Sequence, residues 1–213
     1  MKKILLIGDS IRIGYDKYVK MAFEGVAEVY YPEDNCRFAA HIVRYLSEWK
    51  EKCGCGEDVD LVHWNAGLWD DLIVADELPL FPLEIYKVYV ERVCRLIRQL
   101  FPKAKMVFAA TTPISEELFQ RLNYKRYNRD TEKYNEAAFE IVRRYGGTIN
   151  DLYTLMKEAP ESYHSDQTHY YTKEGTRMLT NQVVSCIEDA LQIKGKELDF
   201  DALFSDKKDI IGV

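Results

Sequence analysis

Short apolar runs alternate along the chain with stretches in which apolar residues recur every three to four positions. The runs at residues 3–7, 26–30, 61–65, 105–110 and 148–149 predict five strands. Residues 16–24, 38–52, 83–100, 131–145 and 173–193 predict helices. The clearest is 83–100, where Ile85, Val88, Tyr89, Val93, Leu96, Ile97 and Leu100 mark one face and Pro102 stops the helix. Gly146-Gly147 ends the fourth helix. Strands and helices taking turns predict an α/β protein with helices on both faces of a parallel sheet. The expected architecture is a three-layer α/β/α sandwich around a mostly parallel five-stranded sheet, flavodoxin-like in the broad sense.

No repeat, low-complexity tract or linker divides the 213 residues, so one domain over 1–213 is expected, with 194–213 as a tail. That length supports a core without a disulfide or metal staple. The tail alternates apolar Phe200, Leu203, Phe204, Ile210 and Ile211 with charges. It suits packing on its own domain or on a second subunit, so a homo-oligomer stays open.

Charge narrows the partners. The 29 Lys and Arg are scattered among 35 acids for a net charge of −6, which gives no basic footprint for nucleic acid. No apolar stretch approaches the roughly 18 residues that span a membrane. The opening Met1-Lys2-Lys3 meets Gly8-Asp9 after four apolar residues, so it reads as a buried first strand rather than a signal peptide. Five irregularly spaced cysteines fit reduced thiols in a cytoplasm. Cys53 and Cys55 lack a second ligand pair, so a surface turn is expected there and no metal.

Candidate chemistry lies at three places. Gly8-Asp9-Ser10 follows the first strand, Asn65-Ala66-Gly67 follows the third, and Asp166-Gln167-Thr168-His169 precedes the last helix. A serine at the carboxyl end of a strand stands where α/β sheets bind ligands. It becomes a nucleophile when a base takes its proton and a third group orients that base. Each piece also has an ordinary structural reading: Ser10 as a helix cap, Asp166 as the cap of the last helix, His169 as a loop histidine, Asn65 as a turn former. His63 alternates with buried strand positions and reads as a core residue. His164 lines the cleft or faces solvent. His41, five residues from Cys36, does not share a helix face with it, which argues against a cysteine nucleophile.

Together the three blocks resemble the SGNH hydrolases, also called GDSL esterases and lipases, over nearly the whole chain and in the family's order. Thr111-Thr112-Pro113, Tyr134-Asn135, Asn150-Asp151-Leu152 and Tyr170 to Gly175 agree with it. The resemblance implies the SGNH fold and a serine esterase needing no cofactor or metal. It implies Ser10 as nucleophile, His169 as general base and Asp166 as its orienting acid, with the Ser10 N–H and Asn65 side chain as oxyanion donors. The family's second block usually supplies a glycine N–H as another donor. Here that segment reads Pro32-Glu33-Asp34-Asn35-Cys36-Arg37-Phe38, without glycine, so Cys36 is the expected substitute. Asp9, Arg37 and Trp69 are candidates for substrate contact, with a surface salt bridge the alternative for Arg37 and a core position for Trp69. The expected substrate is a small ester, short-chain or an acetylated carbohydrate. Two alternatives stand beside it: a thioesterase or acyltransferase using the same triad, and a non-catalytic anion- or nucleotide-binding module. For the second, Gly-Asp-Ser-Ile-Arg-Ile-Gly fits neither the P-loop nor the dinucleotide pattern.

Overall fold

The apolar runs form strands β1 (Lys2–Ile7), β2 (Ala27–Tyr30), β3 (Leu61–Trp64), β4 (Lys105–Ala109) and β5 (Thr148–Asn150). All pair in parallel in the order β2-β1-β3-β4-β5. The computed structural model describes residues 1–119 and 124–204.

The central strands are buried on both faces, which is why they read as continuous apolar runs. Leu5, Ile7, Val62, Trp64, Met106 and Phe108 point into one core layer, under α2 (Ala39–Lys52), α3 (Leu83–Leu100) and α5 (Asn128–Arg144). Ile4, Leu6, Leu61, Val107 and Ala109 point into the other, under α1 (Ser10–Ala22) and α7 (Lys173–Leu191). The chain runs outward from β1 to β2 and then returns to β3 on the other side of β1. That reversal opens a crevice at the carboxyl ends of β1 and β3, the usual place for a ligand in an open α/β sheet.

The helices differ from expectation in two ways, one start and several short extra helices. Helix α1 begins at Ser10 rather than at residue 16, because Asp9 is its N-cap and accepts the Ile11 N–H at 2.9 Å. The short helices α4 (Glu116–Phe119), α6 (Leu152–Lys157) and α8 (Phe200–Leu203) and a 3₁₀ turn (Glu161–Tyr163) were not expected. Four to six residues are too few to show a helical period. For α6 a cap signal was present nonetheless, since Asp151 accepts the Thr154 N–H at 3.0 Å.

The start of the tail packs on its own chain. Phe200 is buried against Tyr18 with ring centroids 5.1 Å apart, and the Lys196 N–H donates to the Ala22 carbonyl at 2.8 Å. Ile210 and Ile211 lie outside the described residues. Among the described residues no helix is long and apolar enough to cross a membrane. No group of three or more His, Cys, Asp or Glu side chains among them could hold a metal ion.

Candidate active site

The chain leaves β1 at Ile7 and turns through Gly8 into the cap residue Asp9, which places Ser10 at the first position of α1. Ser10 is therefore not the cap. The turn is tight: a Cβ on Gly8 would come within 1.8 Å of Asn65 Oδ1 and 2.8 Å of Arg12 Cβ. Asn65 follows β3, is buried, and donates its N–H to the Ile7 carbonyl at 3.0 Å. The Asn65 side chain thus lies against the turn that carries Ser10.

The next turn is clamped from outside. Gly67 has φ 144°, and a Cβ there would sit 2.3 Å from Thr111 Oγ1. The Thr111 hydroxyl and the Tyr86 phenol both donate to the Ala66 carbonyl, at 3.2 and 2.9 Å. Asn135 pins Thr111 by exchanging two hydrogen bonds with its backbone, at 2.8 and 2.9 Å. Farther along, Asp71 and Arg126 form a buried ion pair at 2.7 Å. Asp70 accepts the Ala39 N–H at 3.2 Å and so serves as the cap that Phe38 cannot provide for α2.

The third block is a closed loop. Asp166 Oδ1 accepts the N–H groups of Thr168 and His169, both at 2.8 Å. The His169 carbonyl accepts the Ser165 N–H at 2.8 Å, and Thr172, not Asp166, caps α7. His169 Nδ1 lies 2.8 Å from Asp166 Oδ2, and its Nε2 lies 2.8 Å from Ser10 Oγ, across 159 residues of chain. Burial pushes the Asp166 carboxyl up, but the bonds from the His169 ring and the two backbone N–H groups outweigh it and hold the group at about 2. An ionised carboxylate only accepts. His169 Nδ1 must therefore carry the proton, leaving the Nε2 lone pair to accept from the Ser10 hydroxyl.

The remaining candidates separate. Asp9 is fully buried and spends one oxygen on the α1 cap, so in this structure it supports the Ser10 turn from within rather than lining the surface of the crevice. Burial pushes its carboxyl up, opposed by the Asn65 side chain and the Ile11 N–H. Cys36 is corrected as well. Its N–H donates to the Gly8 carbonyl at 3.1 Å and is not available to an oxyanion. Burial also pushes its thiol up to about 11, against a thiolate role. The neighbouring Arg37 N–H bonds Asn35 Oδ1 at 2.9 Å. Arg37 itself is exposed, stands at φ 51°, and holds its guanidinium 6.0 Å over the ring of half-buried Trp69. No ion pair to Arg37 exists among the described residues.

His63 is a buried core residue bonded to the Asn150 side chain at 3.1 Å, and burial lowers it to about 3. His164 is half-buried, and its ring lies 4.1 Å from that of Tyr170. Two residues were missed. Arg12, buried in α1, bonds Asp16 and the carbonyls of Pro32 and Asp34. Tyr171 stacks on His169 with centroids 4.7 Å apart and donates its hydroxyl to the Ser10 carbonyl at 2.7 Å.

No protein-family model and no curated protein matches the chain. Solved structures do. A lipase/acylhydrolase from Enterococcus faecalis superposes with a TM-score of 0.67 at 20% identity, over 93% of this chain and 100% of that one. A GDSL-like lipase from Bacteroides thetaiotaomicron gives 0.68 at 17% identity, over 89% of each chain. An acetyl xylan esterase gives 0.66 at 15% identity, over 87% of this chain and 99% of that one. With a five-stranded parallel sheet between helical layers and Ser10 at the end of its first strand, this chain has the fold of the GDSL-like lipases and acylhydrolases.

Proposed function

We propose that this chain is a serine esterase of the SGNH type that cleaves small carboxylic esters through an acyl-serine intermediate. The observation that carries the proposal is the unbroken hydrogen-bond line from Asp166 through His169 to Ser10. As Ser10 Oγ attacks the ester carbonyl, its proton passes to His169 Nε2, and a C–O bond forms. The carbonyl oxygen becomes an oxyanion, stabilised by the Ser10 N–H at the positive end of α1 and by the Asn65 amide. The intermediate collapses, the bond to the alcohol breaks, and His169 gives its proton to the departing oxygen. Water then repeats the sequence on the acyl-serine, with His169 again as base. Asp166 stays ionised throughout and holds the imidazole in its productive tautomer. The residues present suffice for this chemistry without a metal or cofactor.

Arg37 and Trp69 follow the Gly8-bonded Cys36 and the Asn65 turn, and we assign them to contact with the alcohol or acyl group. The fold shared with an acetyl xylan esterase supports short acyl groups, acetylated carbohydrates among them. Five free cysteines support action in a reducing cytoplasm.

Turnover of p-nitrophenyl acetate, longer p-nitrophenyl esters and acetylated sugars tests the proposal. The native protein is expected to prefer the short acyl groups. Asn65→Ala is expected to lose about 10²–10³-fold in kcat. Absence of turnover on every ester, or full activity in Asn65→Ala, would overturn this reading.

A further inference from the structure

Tyr171 occupies a place that an ordinary surface tyrosine would not. Its ring lies nearly parallel to the His169 imidazole, at 20° and 4.7 Å, while its hydroxyl is tied to the Ser10 carbonyl. Its backbone is fixed too, since its N–H donates to Ser165 Oγ at 3.1 Å, and Ser165 in turn holds the His169 carbonyl. Room for the ring comes from Gly14 on α1, where a Cβ would meet Tyr171 Cε1 at 3.0 Å. One side chain therefore spans from the base to the helix that carries the nucleophile.

We propose that Tyr171 is a positioning residue whose ring face stabilises the imidazolium formed when His169 takes the proton of Ser10. The π face of a tyrosine attracts a cation within about 6 Å of its centroid, more strongly when both are shielded from water. Neutral imidazole gains little from that face; imidazolium gains fully. The contact is thus stronger in the transition state than in the resting state, which is the condition for it to raise kcat. The hydroxyl tether keeps the ring in register with Ser10. Burial raises the phenol further, so it remains a neutral donor. The other groups facing His169 are the Asp166 carboxylate of its own loop, Ser10 on α1, and, acting through space, Asp9 and His164. Among the described residues, Tyr171 is the one whose ring stacks on the imidazole.

This inference rests on the esterase reading, and its test is built to be separable from it. The His169 ring-proton signal is followed against pH by NMR in the resting native protein, Tyr171→Phe and Tyr171→Leu. Loss of the ring destabilises the imidazolium, so Tyr171→Leu is expected to titrate at lower pH, by about half a unit or more. Tyr171→Phe, which keeps the ring and loses only the tether, is expected to stay close to native. In turnover, Tyr171→Leu is expected to lose about tenfold in kcat with KM little changed, and Tyr171→Phe to recover most of it. Should Tyr171→Leu fail to fold, Tyr171→Met, which also removes the aromatic face, is expected to shift the titration in the same direction. An unmoved titration in Tyr171→Leu, or equal shifts in the Phe and Leu variants, would overturn the proposal. Because the titration needs no turnover, an inactive native protein would contradict the esterase reading and leave this outcome readable.

Discussion

Ser10→Ala is expected to lower ester turnover by about four to six orders of magnitude while leaving stability within about 0.5 kcal/mol of native. The size of the first effect follows from the hydroxyl's position. Ser10 Oγ is the end of the line from Asp166 through His169, and a methyl group can neither attack a carbonyl nor pass on a proton. The small second effect distinguishes this reading from the helix-cap alternative. A cap serine replaced by alanine would cost about 1 kcal/mol, but here Asp9 caps α1 and Ser10 is its first residue. Turnover of p-nitrophenyl acetate and urea unfolding of the same preparation check both halves. A variant that lost stability but kept its activity would support the alternative.

The largest expected effect on stability belongs to Arg12→Ala. Arg12 is 1% exposed and pairs with Asp16 at 2.6 Å. It also donates to the Pro32 carbonyl at 2.9 Å and the Asp34 carbonyl at 2.6 Å, on the segment between β2 and α2. Truncation removes the cation from a buried pair and leaves Asp16 charged without it. It also takes a donor from each of two carbonyls. Breaking such a pair costs about 3–5 kcal/mol, a large part of the roughly 5–15 kcal/mol by which domains are stable. Arg12→Lys is expected to recover only part of that, because an ammonium cannot fork between two carbonyls and a carboxylate as a guanidinium does. Urea unfolding of the three proteins measures it. A loss below about 1 kcal/mol in Arg12→Ala would show that the contacts are not formed in solution.

Arg12 also shows where sequence reading runs out. The five strands lie within a residue of their expected ends; the central three, buried on both faces, leave a continuous apolar signature. The candidate set of Ser10, His169 and Asp166 is legible because its parts come from short segments of unusual composition at strand and helix ends, and the fold brings the three within hydrogen-bond distance. The supports are not legible. Arg12 stands five residues into what reads as a loop, and nothing in Ser-Ile-Arg-Ile-Gly says that α1 has begun or that an arginine is buried there. Asp9 reads as a candidate for substrate contact, since a polar residue beside Ser10 does not reveal in sequence whether it faces the cleft or caps the helix. Cys36 failed for a related reason. Any residue but proline carries a backbone N–H, yet only coordinates reveal that Gly8 already accepts this one. Tyr171 lay inside a segment noted for its resemblance, but its stacking on His169 depends on the loop closing back toward α1.

Reaction with a fluorophosphonate, followed by intact mass and peptide mapping, tests the central claim most directly. One adduct per chain is expected, on Ser10, absent in Ser10→Ala and formed far more slowly in His169→Ala. A protein that hydrolyses esters yet carries the adduct elsewhere, or labels equally well without Ser10, would contradict it.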